Sequence, residues 1–345
     1  MKGMILAGGL STRLYPLTKE IPKPLVPIAG EPNTAHVIRY LRSFGIDEIA
    51  INVHYLGDAI EARFGDGSEF GVRLHYLREP ELLGSAGAVK QLEPFFDDTF
   101  VVVGCDDLTD LDLAAVLAFH AERDALATIA LVPGDDVSQY GVVVLDAKGR
   151  ITGFQEKPAA GTEKSKLINT GIYVFEPGIF AHIPPATFWD FGKNVFPGLQ
   201  REGAPFYGLE MPGAYWCDIG TPGEYRRATR DVLEGRVRLS GDAPRRGIAK
   251  DAIVGDGVRI SGAVHVGRRV RLGDGVQITG PSVIGDDVTL GSGVRIERSI
   301  LWDGVSAGSA ARITDSIVGN NYAIAPDARL DGAIVANEPE PAPAA

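Results

Sequence analysis

The residues with the clearest capacity for chemistry sit near the start of the chain. The stretch Leu6-Ala7-Gly8-Gly9-Leu10-Ser11-Thr12-Arg13-Leu14 follows directly on an apolar run. Paired glycines let backbone N–H groups approach phosphate oxygens, and Ser11, Thr12 and Arg13 add donors and a positive charge. The stretch fits neither GxxxxGKS/T nor GxGxxG, so it is neither a P-loop nor a dinucleotide fingerprint, and alone it could be an ordinary turn. Ten residues on, Pro22-Lys23-Pro24-Leu25 holds a lysine between two prolines that restrict the backbone on both sides. An isolated motif of this kind is otherwise a solvated lysine in a turn. Two acids border local structure signals: Asp106 ends an apolar run, and Asp218 lies beside a Gly-Pro turn. The sequence separation of these acids carries no metal-spacing signal, and each alone reads as a helix cap or a surface acid.

The elements that must position these residues follow from periodicity. Strand-like runs at Gly3 to Ala7, Ile49 to Val53, Val72 to Tyr76, Phe100 to Val103, Ala127 to Val132 and Gly141 to Leu145 alternate with helix-like segments. The alternation predicts an α/β fold with a Rossmann-like, mainly parallel sheet covered by helices on both faces. One helix is predicted over Thr34 to Phe44, capped by Asn33 and ended by Gly45, and another over Pro222 to Leu233. This domain spans residues 1–239, and a Gly, Pro and Arg segment opens a linker over 240–250. Over 251–336 a hexapeptide period appears. Every sixth residue from Val258 to Ile300, and every sixth from Ile260 to Trp302, is apolar except Ser282. Gly267, Gly273, Gly285 and Gly291 mark corners that need a residue without a Cβ. This is the pattern of a left-handed parallel β-helix with three hexads per coil. From Asp303 the phase slips, which suggests an insertion in the last coil. The tail 337–345 has a disordered composition.

Composition narrows the partners. A formal charge of −11 argues against nucleic acid and anionic membranes, which are bound by basic patches. Locally the balance reverses, with Lys2, Arg13, Lys19 and Lys23 set against Glu20. An anionic small molecule could be handled there. No apolar stretch is long enough to span a bilayer, and the N-terminus lacks the pattern of a signal peptide. Cys105 and Cys217 are too few for a disulfide framework, which suits a cytoplasmic protein. Each immediately precedes one of the two acids, so if both pairs are extended the thiols turn inward beneath the site.

Together the Gly8 to Leu14 loop and Pro22 to Leu25 resemble the signature of the sugar-1-phosphate nucleotidyltransferase family, GGxGTRL followed by PKPL, with Ser11 at the third glycine position. The resemblance continues in family order through Leu83-Gly84-Ser85-Ala86-Gly87, Gly104-Cys105-Asp106, Tyr140-Gly141-Val142-Val143, Glu156-Lys157-Pro158, Asn169-Thr170-Gly171 and Trp216-Cys217-Asp218. It implies a nucleotide site built from Leu6, Ala7, Gly8, Gly9, Ser11, Thr12, Arg13, Lys23, Leu83, Gly84 and Asp106. Gly141, Glu156, Lys157, Asn169 and Asp218 would hold the sugar phosphate, and Asp106 and Asp218 a magnesium ion. Arg13, Lys23, Asp106 and Asp218 would carry catalysis. Asp107, where the family often has an apolar residue, is an acid that could be mistaken for the ligand.

The implied reaction joins a nucleoside triphosphate and a sugar 1-phosphate, releasing pyrophosphate. PKPLVPIAGEP, Asn52-Val53-His54, SQYGVV and EKP most resemble bacterial mannose-1-phosphate guanylyltransferases. Glucose-1-phosphate thymidylyl-, uridylyl- and adenylyltransferases share most of these motifs. A non-catalytic sister subunit is a rival of another class, kept open by Ser11 and Gly104-Cys105. An acyltransferase is a second rival, because hexapeptide β-helices serve such enzymes through a coil-edge histidine. His265, between inward Val264 and Val266, should point outward into a surface role. The β-helix is expected to mediate homo-oligomer contacts or regulation.

Overall fold

A computed structural model describes residues 1–241 and 246–337. Part of the expected linker, 242–245, and the expected disordered tail beyond Asn337 lie outside the described residues. The chain folds into two compact units. Met1–Leu10 with Thr34–Asp218 form the first, and Ser11–Asn33 with the chain from Ile219 form the second.

The first unit is built on strands β1 (Lys2–Leu6), β2 (Glu48–Val53), β3 (Arg73–Arg78), β4 (Phe100–Gly104), β5 (Asp107–Thr109), β6 (Ala127–Pro133), β7 (Gly141–Leu145), β8 (Ile151–Glu156), β9 (Leu167–Phe175), β10 (Phe206–Glu210) and β11 (Trp216–Asp218). Nine of them form one sheet in the order β8-β7-β9-β4-β1-β2-β3, with β6 added on β9 and β10 on β6, while β5 and β11 pair separately. The α/β expectation holds. One half of the sheet is parallel as expected: β1 pairs in parallel with β2 and β4, and β2 with β3. Its strands read as continuous apolar runs because both faces are covered, and Met4, Ile5, Ile49, Ile51, Val101 and Val102 are wholly buried.

The other half makes the sheet mixed. Strand β9 runs antiparallel to β4, β6 and β7. Strands β7 and β8 form a hairpin whose turn is held by Asp146, which accepts from the N–H groups of Lys148 and Arg150. Among the helices are α1 (Asn33–Ser43), α2 (Gly57–Phe64), α3 (Gly84–Gln91), α4 (Leu113–Glu122), α5 (Phe196–Glu202) and α6 (Pro222–Leu233). Gly45, at φ +80, ends the first as expected, its N–H bonding to the Arg42 carbonyl. No described helix is long and apolar enough to cross a membrane.

In the second unit three ladders of short parallel strands form the β-helix, consistent with the left-handed form. Val264, Val266, Val270, Leu272, Val276 and Ile278 fill its interior as the hexad pattern requires. Coils are first 18 residues long, with Val264 opposite Ser282 and Arg271 opposite Thr289. They then contract to 17, with Val283 opposite Ile300 and Ile300 opposite Ile317. The slip therefore begins before Asp303, and it is a deletion rather than an insertion. A two-residue corner, Gly280-Pro281, becomes the single left-handed residue Arg298, then Asp315, at φ +45 and +46. Arg298 stabilises the new corner by pairing with Asp315 of the next coil through both carboxylate oxygens, at 2.8 and 2.7 Å.

The contraction overturns two inward assignments. Leu301, not Ile300 or Trp302, continues the interior, followed by Val305, Ala307, Ala311 and Ile313. Ser282, the exception in the hexad pattern, heads a buried ladder: its hydroxyl accepts from the Ser299 N–H, and that of Ser299 from the Ser316 N–H, both at 3.1 Å. Serine is tolerated inside because each hydroxyl also donates to a carbonyl.

The corner glycines are needed because coils stack closely. A Cβ on Gly273 would lie 2.8 Å from the Ser292 nitrogen and 2.9 Å from the Gly291 carbonyl carbon. His265 is outward as expected but half-buried, its Nε2 2.6 Å from where a Cβ of Gly30 would sit. Gly273→Ala should destabilise the protein by about 1–3 kcal/mol through this backbone clash, seen as a lower urea midpoint with the secondary structure retained.

Candidate active site

Strand β1 delivers Leu6 and Ala7 to the loop, and the Ala7 N–H donates to Asn52 Oδ1 at 2.9 Å. Asn52 in turn donates from Nδ2 to Glu79 Oε2 at 2.6 Å. Both crowd Gly8, where a Cβ would stand 2.7 Å from Asn52 Nδ2 and 3.0 Å from Glu79 Oε2. Gly8 is thus demanded by side-chain approach, whereas a Cβ on Gly9 would meet open space. Leu83 comes to the same carboxylate, its N–H pointing to Glu79 Oε1 at 3.4 Å. Gly84 opens α3 at φ +75, and a Cβ there would meet the Trp189 carbonyl at 2.6 Å. That carbonyl accepts from the Ala86 and Gly87 N–H groups, each at 3.0 Å. The Ser85 hydroxyl donates to Asp190 at 2.9 Å, which ties the loop down further.

At the end of β4 the chain turns sharply into β5. Gly104 is required there, since a Cβ would lie 2.7 Å from Asp106 Oδ1 and 2.7 Å from Asp107 Oδ2. Antiparallel pairing sets Asp218 opposite Asp107. Asp106 and Asp218 are half-buried and Asp107 is buried. Burial pushes the Asp107 carboxyl well above the usual carboxylate range, and the charges of Asp106 and Asp218 push it further. Asp107 is held from inside, accepting from the Gly104 N–H at 2.9 Å and from Trp216 Nε1–H at 3.0 Å. That leaves Asp106 and Asp218 as the more exposed pair. Carboxylate oxygens are the ligands that a hard cation takes, but among the described residues no group of three or more acids, histidines or cysteines is placed to hold a metal by itself, so a cation here would need substrate oxygens to complete its shell. Cys105 and Cys217 are both buried, as their positions before the two acids suggested.

The residues assigned to the sugar converge. Gly141 faces Glu156 across the β7–β8 pair, and a Cβ on Gly141 would come within 3.4 Å of Glu156 Oε2 and 3.5 Å of Asn169 Cβ. Asn169 owes its position to an irregularity in β9, where the register with β6 shifts between Asn169 and Tyr173. Gly171, at φ +82, makes the turn possible, and the Thr170 hydroxyl donates to the Ala130 carbonyl at 2.7 Å. The same bulge brings Gly171 against Asp107, whose Oδ2 would be 3.0 Å from a Cβ there. Lys157, exposed and left-handed at φ +45, follows directly.

Ser11, Thr12, Arg13 and Lys23 belong to the second unit. Ser11 adopts φ +54, the region where glycine is unstrained, so the side chain changes while the backbone geometry is kept. Arg13 is exposed on the 3-10 turn Thr12–Leu14. Lys23 is only 9% exposed, and its segment is closed by a bond from the Val26 N–H to the Lys23 carbonyl. Glu79 escaped the sequence reading, and Asn52 and Trp216 entered it only as parts of motifs. Single buried polar residues leave no periodic trace, and only their places next to recognised motifs could have pointed to them.

Residues 2–235 match the family model described as nucleotidyl transferase, and residues 260–340 match one described as the GMPPB C-terminal domain. The chain belongs to the nucleotidyl transferase family. It is 42% identical over 292 residues to a UTP–glucose-1-phosphate uridylyltransferase of Synechocystis, covering 79% of this chain and 75% of that relative. It is 34% identical over 270 residues to a mannose-1-phosphate guanylyltransferase of Mycobacterium tuberculosis, covering 77% and 74%. Among solved structures, HddC from Yersinia pseudotuberculosis complexed with GMP-PN superposes with a TM-score of 0.59 at 28% identity, over 67% of this chain and 99% of that one. Gly104→Ala should displace both neighbouring carboxylates and lower turnover about 10²-fold, with thermal unfolding shifted by only a few degrees. Steady-state kinetics beside a melting curve checks this.

Proposed function

We propose that the protein transfers a nucleoside monophosphate from a nucleoside triphosphate to a sugar 1-phosphate. The observation that carries this reading is that one unit holds both a crowded aspartate cluster suited to a phosphate-bound cation and a separate Gly141, Glu156 and Asn169 set suited to sugar hydroxyls. A phosphate oxygen of the sugar attacks the α-phosphorus in line. One P–O bond forms as the bond to the bridging oxygen breaks, and the electron pair leaves with pyrophosphate. The nucleophile arrives ionised, so no base is required. Catalysis is positioning and charge neutralisation. Arg13 and Lys23 take the triphosphate and the departing pyrophosphate, and Lys157 the attacking phosphate. Asp106 and Asp218 would hold magnesium, which when bound neutralises phosphate charge. The departures that kept a non-catalytic subunit open support catalysis instead, because Ser11 keeps a glycine-like backbone and Gly104 provides clearance for two carboxylates.

Guanylyl transfer to mannose 1-phosphate is the first reading of the substrates. Glu79 offers a buried carboxylate beside Gly8 and Leu83, with Oε1 engaged only by long contacts of 3.4 Å to the Leu83 N–H and Gln91. Guanine presents two adjacent N–H donors that match such an acceptor, while uracil presents one N–H flanked by carbonyls that repel it. Uridylyl transfer to glucose 1-phosphate is the second reading, favoured by the 42% identical relative. Self-association through the β-helix is supported by exposed Ile248, Ile253 and Val254 on its first coil, and a cytoplasmic site of action by two buried cysteines not joined in a disulfide.

Pyrophosphate release across a grid of nucleoside triphosphates and sugar 1-phosphates tests the reaction. Release is expected with at least one pair, and Asp106→Ala should lower it by more than about 10³-fold. No release with any pair would return the protein to a binding role. Glu79→Gln should move the preference from GTP towards UTP or dTTP by about tenfold in kcat/KM, and an unchanged preference would remove Glu79 from base selection.

A further inference from the structure

Lys23 lies in the same unit as the β-helix, and a chain of hydrogen bonds runs from the β-helix to Pro27, four residues from the lysine. The indole Nε1–H of Trp302 donates to the Tyr225 hydroxyl at 2.8 Å, and that hydroxyl donates to the Pro27 carbonyl at 2.7 Å. Tyr225 has no exposed surface and Trp302 2%. Their rings meet edge to face at 6.3 Å and 82°. The direction of the chain is fixed, because an indole can only donate and a carbonyl can only accept, leaving the hydroxyl between them a single arrangement.

Pro27 is four residues from Lys23 and begins the two-residue strand Pro27–Ile28, which pairs with Glu31–Pro32. The segment between is already taut, with the Leu25 N–H bonded to the Pro22 carbonyl and the Val26 N–H to that of Lys23. Moving Pro27 therefore moves the lysine. His265 meets the tip of the same hairpin at Gly30, a second β-helix contact on it.

We propose that Tyr225 and Trp302 are positioning residues for Lys23, so that the β-helix sets the place of a phosphate-binding lysine as well as adding bulk to the chain. The proposal rests on the reading of Lys23 as a ligand of the triphosphate. The Tyr225 hydroxyl accepts from the indole N–H and donates its own O–H to the Pro27 carbonyl, and phenylalanine in either position keeps an aromatic ring while breaking the chain. The consequence is specific to one substrate, since Lys23 serves the nucleotide and Lys157 the sugar phosphate.

The test uses the full-length chain with the substrate pair that gives most turnover. Tyr225→Phe and Trp302→Phe should each lower kcat/KM for the nucleotide about five- to twentyfold while leaving KM for the sugar 1-phosphate unchanged. The double variant should lose no more than the worse single one, because both break the same chain. Full nucleotide kcat/KM in both variants, whatever happens to their melting temperatures, would reduce the pair to a structural contact and overturn the proposal, as would an equal loss towards both substrates. Lys23→Ala separates the two readings. A fully active Lys23→Ala enzyme overturns the reading of the site and this proposal with it, whereas an inactive one beside fully active Phe variants overturns this proposal alone.

Discussion

Like charges brought together out of water are the constraint around which the first unit is arranged. Asp106, Asp107 and Asp218 gather where β4 turns into β5 and where β5 meets β11. Left alone they would repel strongly, and Asp107 is pushed up first by its burial and then by the charges of Asp106 and Asp218. Two devices contain this repulsion. Donors from Gly104 and Trp216 hold Asp107 from the protein side. A cation shared with phosphate oxygens would balance the other two from the solvent side. The positions of Gly104 and Gly171, both pressed against the cluster, then follow from lack of space.

Several other glycines share that role of clearance. Gly8 admits Asn52 and Glu79, Gly84 admits the Trp189 carbonyl, and Gly141 admits Phe154 and Glu156. Gly84 and Gly171 combine clearance with a left-handed backbone, while Gly8, Gly104 and Gly141 do not have positive φ. Ser11 is the complementary case, where the backbone needs the left-handed region but the space admits a side chain.

Much of this was legible beforehand, and the exceptions have physical causes. Buried parallel strands announce themselves as apolar runs, so β1, β2 and β4 were read within a residue or two. The antiparallel half was harder. Strands β8 and β9 are only partly buried and mix polar with apolar residues, and the bulge at Asn169 breaks any period. Within the site, Gly141, Glu156 and Asn169 could be grouped by resemblance, and the structure brings them together. Glu79 could not be found that way, because a solitary buried acid has neither partner spacing nor periodicity. The shortened coils were visible as a loss of phase but not as a deletion, since an inward serine ladder hides the new register from any count of apolar residues.

The shortened corner has a genetic reading. In a strand lattice, inside and outside differ by one position, so substitution changes a surface slowly while a one-codon deletion exchanges it at once for every residue downstream up to the next corner. With one residue fewer at the Arg298 corner than at Gly280-Pro281, Leu301 lies inward and Trp302 faces Tyr225. A repeat protein can thus acquire a new contact in a single event, with its interior refilled by neighbours that were already apolar. Length polymorphism at coil corners, rather than point change along the strands, is the variation to watch when domains of this kind gain or lose a partner.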